Sequence, residues 1–261
     1  MKIIVAHMYP ELLNIYADRG NISVLQRRAS WRGIELIVHP ITKGNPLPVD
    51  TNLVYIGGGQ DRDQFLVADD IMQRAEELDA FVESNGTVLA VCGGYQLLGR
   101  LYCDTNGKKL LGAGIFPVNT VAEETRLIGN VLLRCSFDNE EIQSVSGFEN
   151  HAGRTHLDID AKPFGKVIYG FGNTGKSGYE GCRRKNAIGT YLHGPLLPRN
   201  PWLADWLLKK ALEHGLGAES DLSPLDDSLE FSANTVACNR ARTLGGKNKS
   251  LIRIPRLIRK F

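Results

Sequence analysis

Val88-Leu89-Ala90-Val91-Cys92-Gly93-Gly94-Tyr95-Gln96-Leu97-Leu98-Gly99 is the stretch from which the fold can be read. Its first four residues form a short apolar run after Asn85-Gly86, the pattern of a strand buried inside a parallel sheet. Tyr95 to Leu98 then reads as the first turn of a helix. Cys92 falls at the corner between them, with small residues at Ala90, Gly93 and Gly94. A sharp strand-to-helix turn needs small neighbours, because a nucleophile at its apex crowds the backbone on both sides. It also aims the new helix's unpaired N–H groups and positive dipole end at the sulfur. An ordinary core cysteine would have no use for the flanking glycines, so Cys92 is read as a nucleophile.

The surroundings extend this corner into a domain. Ile3 to His7, Ile34 to Val38 and Leu53 to Ile56 read as strands, with a helix opening near Asn21 and an amphipathic helix expected from Asp69 to Ser84. Alternating strands and helices predict an α/β fold, a parallel sheet with helices on both faces. In such sheets the working crevice lies beyond the carboxyl ends of the strands. Gly57-Gly58-Gly59 closes one strand and Cys92 closes another, so the two are expected to meet. Side-chain-free residues let backbone N–H groups approach a reacting oxygen, which makes Gly58, Gly59 and Gly93 oxyanion-hole candidates.

From Leu101 onward the strands shorten and turns multiply. Val131 to Cys135, Val167 to Tyr169 and Ala187 to Tyr191 read as strands, and Gly147 to Arg154 as a polar, glycine-bounded turn. Pro201 to His214 closes this region as a helix with Pro201 at its first position. The expected domain is residues 1–217. Residues 218–261 read as an acidic Ser/Pro linker followed by a basic tail, flexible and solvated. In that tail Ile252, Ile254, Leu257 and Ile258 interleave with Arg253, Arg256 and Arg259, a pattern that also suits an anionic membrane face or a partner.

Composition sets further bounds. A net charge of +2 makes no case for nucleic acid. Five scattered cysteines without a CxxC pair suit a reducing compartment and argue against structural zinc. Met1-Lys2 leads straight into a strand without a signal-peptide pattern, and no apolar run is long enough to cross a bilayer, so a cytoplasmic protein is expected. Gly170 to Ser177 matches the P-loop pattern letter for letter. A P-loop works only where a helix starts at its Lys-Ser end, and Gly178 and Gly181 discourage one. Nucleotide binding there is rejected.

A cysteine nucleophile needs a histidine placed by the fold. His193 follows a strand and so falls at the same sheet edge as Cys92. His151 and His156 compete because their surroundings are polar, but no further clustered ligand supports a metal there. His7, His39 and His214 read as turn, loop and helix-end residues.

GGGQDRDQ at 57–64, AVCGGYQLLG at 90–99, GFENHAGRT at 147–155 and IGTYLHGP at 188–195 together resemble the cobyric-acid-synthase-type class I glutamine amidotransferases. The resemblance covers roughly residues 1–215, and YPELLNIYADRGN at 9–21 is closer to one branch of standalone glutaminase subunits. It implies that Cys92 attacks the side-chain amide of glutamine and that His193 is the base. It also implies that Arg126 binds glutamine, whose α-carboxylate suits a planar guanidinium fork. The implied partner is a Mur-ligase-like synthetase, carrying ATP and Mg²⁺, that uses the ammonia to amidate D-glutamate of the lipid II stem peptide. No cofactor is expected in this chain. The alternatives are a glutaminase serving another amidation such as cobyrinate-type synthesis, a catalytically silent binding subunit, or another Cys–His hydrolase.

One departure stands out. Class I triads often carry Glu two residues after the histidine, and here that position is Pro195. The motif therefore supplies only a Cys–His dyad, and the third group is expected from the partner.

Overall fold

The computed structural model describes residues 1–14, 19–137, 142–245 and 252–253. In chain order the strands are β1 (Lys2–Met8), β2 (Glu35–Ile41), β3 (Leu53–Ile56), β4 (Thr87–Val91), β5 (Leu101–Cys103) and β6 (Lys109–Leu111). They continue with β7 (Val118–Cys135), β8 (Gln143–Leu157), β9 (Gly165–Tyr169), β10 (Tyr179–Glu180), β11 (Cys182–Arg184) and β12 (Ala187–Thr190). The helices are α1 (Arg19–Ser30), α2 (Asp61–Gln73), α3 (Ala75–Glu83), α4 (Gly93–Leu97), α5 (Pro201–Leu216) and α6 (Ser228–Gly245).

The first sheet has the order β11-β12-β4-β3-β1-β2, parallel except where β11 meets β12. Every residue of β3, β4 and β12 is buried, so both faces of this sheet are covered. α5 packs over β1 and β4 and against α1. The α/β architecture expected from the alternating pattern is present.

A second, mixed sheet is built on the long antiparallel pair of β7 and β8, with β5 parallel to β7 and β9 antiparallel to it. GFENHAGRT lies inside β8, not in a turn. Its alternation of buried and part-buried positions is that of a strand with one face inward. The expected helix over Asp69–Ser84 is two helices, starting earlier and breaking at Arg74, whose φ of −93° and ψ of 3° leave the helical region. β2 runs through His39 and Pro40, an edge position where proline's missing N–H removes no ladder bond.

The region read as linker and tail contains α6. Cys238 and Ala241 bury its inner face against Leu132, with Tyr169 packed alongside. The Asn234 side chain donates to the Arg199 carbonyl at 2.6 Å. Below Ile252–Arg253, which pair with Thr125 and Arg126, the rest of the basic tail lies outside the described residues.

Arg28 anchors this C-terminal segment. Its guanidinium forks onto Asp205 of α5 at 2.6 and 2.7 Å and onto Asp227, just before α6, at 2.6 and 2.9 Å. The Arg28 side chain is only 3% exposed; its loss would leave Asp205 to Arg32 but strip the mostly buried Asp227 of its cation. Arg28→Met is expected to lower stability by about 3 kcal/mol, read as a drop in the urea-unfolding free energy; an unchanged value would show that the network is neutral.

Candidate functional site

β4 and β12 are neighbouring parallel strands, with Val91 opposite Thr190. The Cys92 N–H donates to the Thr190 carbonyl at 2.7 Å, so the two chain segments leave the sheet side by side. Cys92 then turns sharply, with φ of 49° and ψ of −103°. An L-residue other than Asn or Asp seldom takes positive φ, and holding it there costs about 1–3 kcal/mol. The strain is held because both sides of the corner are tied: the Gln96 N–H returns to the Cys92 carbonyl at 3.0 Å, and the Gly94 N–H donates to the Gly57 carbonyl at 3.1 Å. A Cβ on Gly94 would stand 2.7 Å from the Ile56 carbonyl oxygen, so α4 reaches the end of β3 only with glycine there.

The same packing brings the glycine loop to the cysteine. A Cβ on Gly93 would lie 2.9 Å from the Gly59 nitrogen and 3.2 Å from the Gln64 amide. Among the described residues, neither the Gly59 nor the Gly93 N–H donates to a protein acceptor. Gly58, the other residue expected in this role, engages a partner within the fold.

His193 arrives from the β12 side and is fully buried. Its backbone pairs with Phe148 of β8, the His193 N–H donating to the Phe148 carbonyl at 2.7 Å. β8 is therefore the wall that closes the site, which is why GFENHAGRT carries so much polarity. Two residues along it, Asn150 receives the Arg126 side chain: Nε donates to Asn150 Oδ1 at 2.7 Å and Nη2 to its carbonyl at 2.6 Å. At about 3.3 Å of rise per residue, this places the guanidinium's anchor roughly 7 Å along the strand from the His193 bridge.

Arg126 sits there because β7 bulges. Ala122 pairs with Gly153 and Leu127 with His151, so residues 123–126 loop out against Ala152 alone. Bulges of this kind redirect side chains next to active sites. Arg154 braces the bulge by donating to the Thr125 carbonyl at 2.8 Å.

His151 is a buried support. It stacks on Tyr191 with ring centroids 3.6 Å apart and planes 6° from parallel. Its Nδ1 donates to the Gly153 carbonyl at 2.8 Å; a carbonyl only accepts, so the proton is on Nδ1 and Nε2 carries a lone pair. Burial pushes its pKa down to about 3, which keeps it neutral. His156 is exposed at the far end of β8. Behind Cys92 runs a buried chain of polar contacts: Gln64 Nε2 to Gln96 Oε1 at 2.9 Å, Gln96 Nε2 to the Tyr191 hydroxyl at 3.1 Å, and that hydroxyl to Thr155 at 2.6 Å.

Two carboxyl groups near His193 went unnoticed in the sequence. Glu149, next to Phe148, is held by the Phe171 and Gly172 N–H groups at 2.6 and 2.8 Å. Those donors belong to the P-loop-like stretch, which leads into β10 without a helix and cradles a carboxylate of its own chain. Glu149 Oε2 lies 3.6 Å from His151 Nε2. Glu180 of β10 accepts the Tyr191 N–H at 2.7 Å. Burial pushes both pKa values up to about 8, against the pull of those hydrogen bonds. Glu149 lay inside the quoted GFENHAGRT stretch without being singled out, while Glu180 lies in none of the quoted motifs and had no signal of its own. Among the described residues no group of three or more His, Cys, Asp or Glu is placed to hold a metal, and no helix is long and apolar enough to cross a membrane.

With this geometry in hand, residues 4–201 match the model of the CobB/CobQ-like glutamine amidotransferase domain. The chain is 38% identical to the lipid II isoglutaminyl synthase (glutamine-hydrolyzing) subunit GatD of Streptococcus pneumoniae strain R6, over 86% of each chain. It is 35% identical to the subunit of the same name from Staphylococcus aureus strain N315, over 92% of this chain and 96% of that one. The cobyric acid synthase of Rhodobacter capsulatus is 29% identical over 81% of this chain and 44% of its own length. A chain from the structure of PurLQS of Thermotoga maritima has the same fold, with a TM-score of 0.52 at 16% identity over 83% of this chain and 99% of its own.

The buried acids set a pH signature. A glutamate with an ordinary pKa of 4.5 that rises to about 8 in the fold takes up protons on folding, so its effect on stability worsens as pH climbs from 4.5 to 8. His151, lowered from 6.5 to about 3, works the other way and gains stability up to pH 6.5. Above pH 6.5 the glutamate effect is the one of these still changing. The urea midpoint should therefore fall between about pH 6.5 and 8.5, and Glu149→Gln should make that decline shallower whatever it does to absolute stability. An equal slope in the variant would place the titration elsewhere.

Proposed function

The chain belongs to the CobB/CobQ-like glutamine amidotransferase family, and from that premise we propose that it hydrolyses glutamine at Cys92 and passes the ammonia to a synthetase partner. The observation that carries this reading is the strained corner at Cys92, hydrogen-bonded to the strand that delivers His193. His193 takes the thiol proton as the sulfur attacks the side-chain amide carbon of glutamine. The oxygen of the tetrahedral intermediate lies against the N–H groups of Gly59 and Gly93, with Gly58 behind them. The C–N bond then breaks, and ammonia leaves with the proton from His193. Water attacks the thioester, glutamate departs, and the sulfur recovers its proton.

Arg126 holds the α-carboxylate of glutamine in this scheme. Its anchoring on Asn150 supports that role, because a guanidinium already fixed through Nε and one Nη keeps N–H groups aimed in a defined direction. The similarity to GatD subunits over nearly the whole chain supports lipid II as the destination of the nitrogen. The partner is then a Mur-ligase-like, ATP- and Mg²⁺-using synthetase that amidates D-glutamate of the stem peptide, working at the cytoplasmic face of the membrane. An acidic residue of that partner at the His193 imidazole would supply the group that Pro195 cannot.

Cys92→Ser should lower glutamine turnover by about 10⁴-fold or more while leaving the fold and the complex with the synthetase intact; retained hydrolysis would refute the assignment. Arg126→Lys keeps the charge but loses the fork, so KM for glutamine should rise about 10- to 100-fold with a much smaller fall in kcat. Steady-state kinetics with an unchanged KM would remove Arg126 from the substrate site.

A further inference from the structure

β12 ends at Thr190, three residues before His193, and its last carbonyl is already taken by the Cys92 N–H. The residues in between have left the sheet, yet they are buried and their N–H groups need acceptors. One side chain meets that need. Glu180 accepts the Tyr191 N–H at 2.7 Å, and its two oxygens accept the Thr190 hydroxyl at 3.1 and 3.0 Å. The Thr190 oxygen in turn accepts the Leu192 N–H at 3.1 Å. His193 itself is then pinned by Phe148 from the opposite side.

The stem of Glu180 is as firmly held as its head. The Asn173 side chain grips the next residue in both directions, accepting the Gly181 N–H at 2.8 Å and donating to the Gly181 carbonyl at 3.0 Å. Gly181 has a φ of 65°, and a Cβ there would stand 2.4 Å from the Gly189 carbonyl, so β10 and β11 press directly on β12. Glu180 is completely buried, and among the described residues no Lys or Arg forms an ion pair with it; the charged group that its carboxyl feels favourably is His193. A fold does not keep an unpaired buried carboxyl for packing, since an apolar residue would serve at less cost.

We propose that Glu180 is the positioning residue for His193: through Thr190 and Tyr191 it fixes the path of residues 190–192, and thereby the place of the imidazole beside Cys92. The inference rests on Cys92 and His193 being the reacting pair. One oxygen takes the Tyr191 N–H while the other meets the Thr190 hydroxyl, an arrangement that an amide on the same stem reproduces in large part.

The test uses the full-length chain and glutamine hydrolysis. Glu180→Ala should lower kcat about 10- to 100-fold, the expected effect of a misplacement near 1 Å, with KM changed less than about threefold. Labelling of Cys92 by a glutamine-analogue electrophile should slow in parallel. Glu180→Gln keeps an acceptor for the Tyr191 N–H and should recover most of the lost kcat. If Glu180→Ala does not fold, Thr190→Val removes the bridging hydroxyl alone and should lower kcat with the same unchanged KM. Wild-type kcat in the folded alanine or valine variant overturns the proposal, as does a glutamine variant no better than alanine. Turnover retained in Cys92→Ser would instead remove the reacting pair, and this inference with it. An inactive Cys92→Ser beside a fully active Glu180→Ala defeats the positioning role alone.

Discussion

The hydrogen bond from the Cys92 N–H to the Thr190 carbonyl ties together the two segments on which the site is built. It is the last rung of the parallel ladder between β4 and β12, whose register sets Val91 against Thr190. Because both strands are fully buried, a one-residue slip would carry every side chain to the opposite covered face, where it is not packed to fit. The core thus determines where Cys92 and the His193 segment emerge. The positive φ at Cys92 persists only because this ladder, the Gly57 carbonyl and the short helix all hold it at once.

The second sheet adds what the first cannot. A parallel sheet ends in open loops, and an enclosed site needs a wall. β8 supplies it by pairing with His193 at Phe148 and by carrying Glu149, Asn150 and His151 inward or along the rim. The bulge in β7 then swings Arg126 onto that wall. Exclusion of water from this region raises the pKa of Glu149 and Glu180 and lowers that of His151. All three neutral forms are favoured for the same reason, the cost of charge in a poorly solvated interior.

Gly170 to Ser177 shows how one physical device can serve different anions. Glycines in the left-handed region at 170, 172 and 175 let successive N–H groups converge, as in a phosphate-binding loop. Here the N–H groups of Phe171 and Gly172 converge on the Glu149 carboxyl group. The pattern of letters specified a loop that binds an anion; the absence of a following helix decided that the anion is internal.

The sequence by itself determined the first sheet, the corner at Cys92 and the strand before His193. Each of these is a local matter: apolar runs of strand length, small residues at a tight turn, and glycine where backbones approach. The tertiary structure alone decided that Gly147 to Arg154 is strand, since a polar inward face looks like a turn until its buried partners, Tyr191 and the Phe171 and Gly172 N–H groups, are in place. It decided too that Ser228–Gly245 is a docked helix, because Arg28 binds Asp227 across 199 positions of chain and no window of sequence contains both. Glu180 was hidden for the same reason. Its oxygens act on a backbone 11 residues away, and a contact between a side chain and a remote N–H leaves no pattern in the amino-acid order.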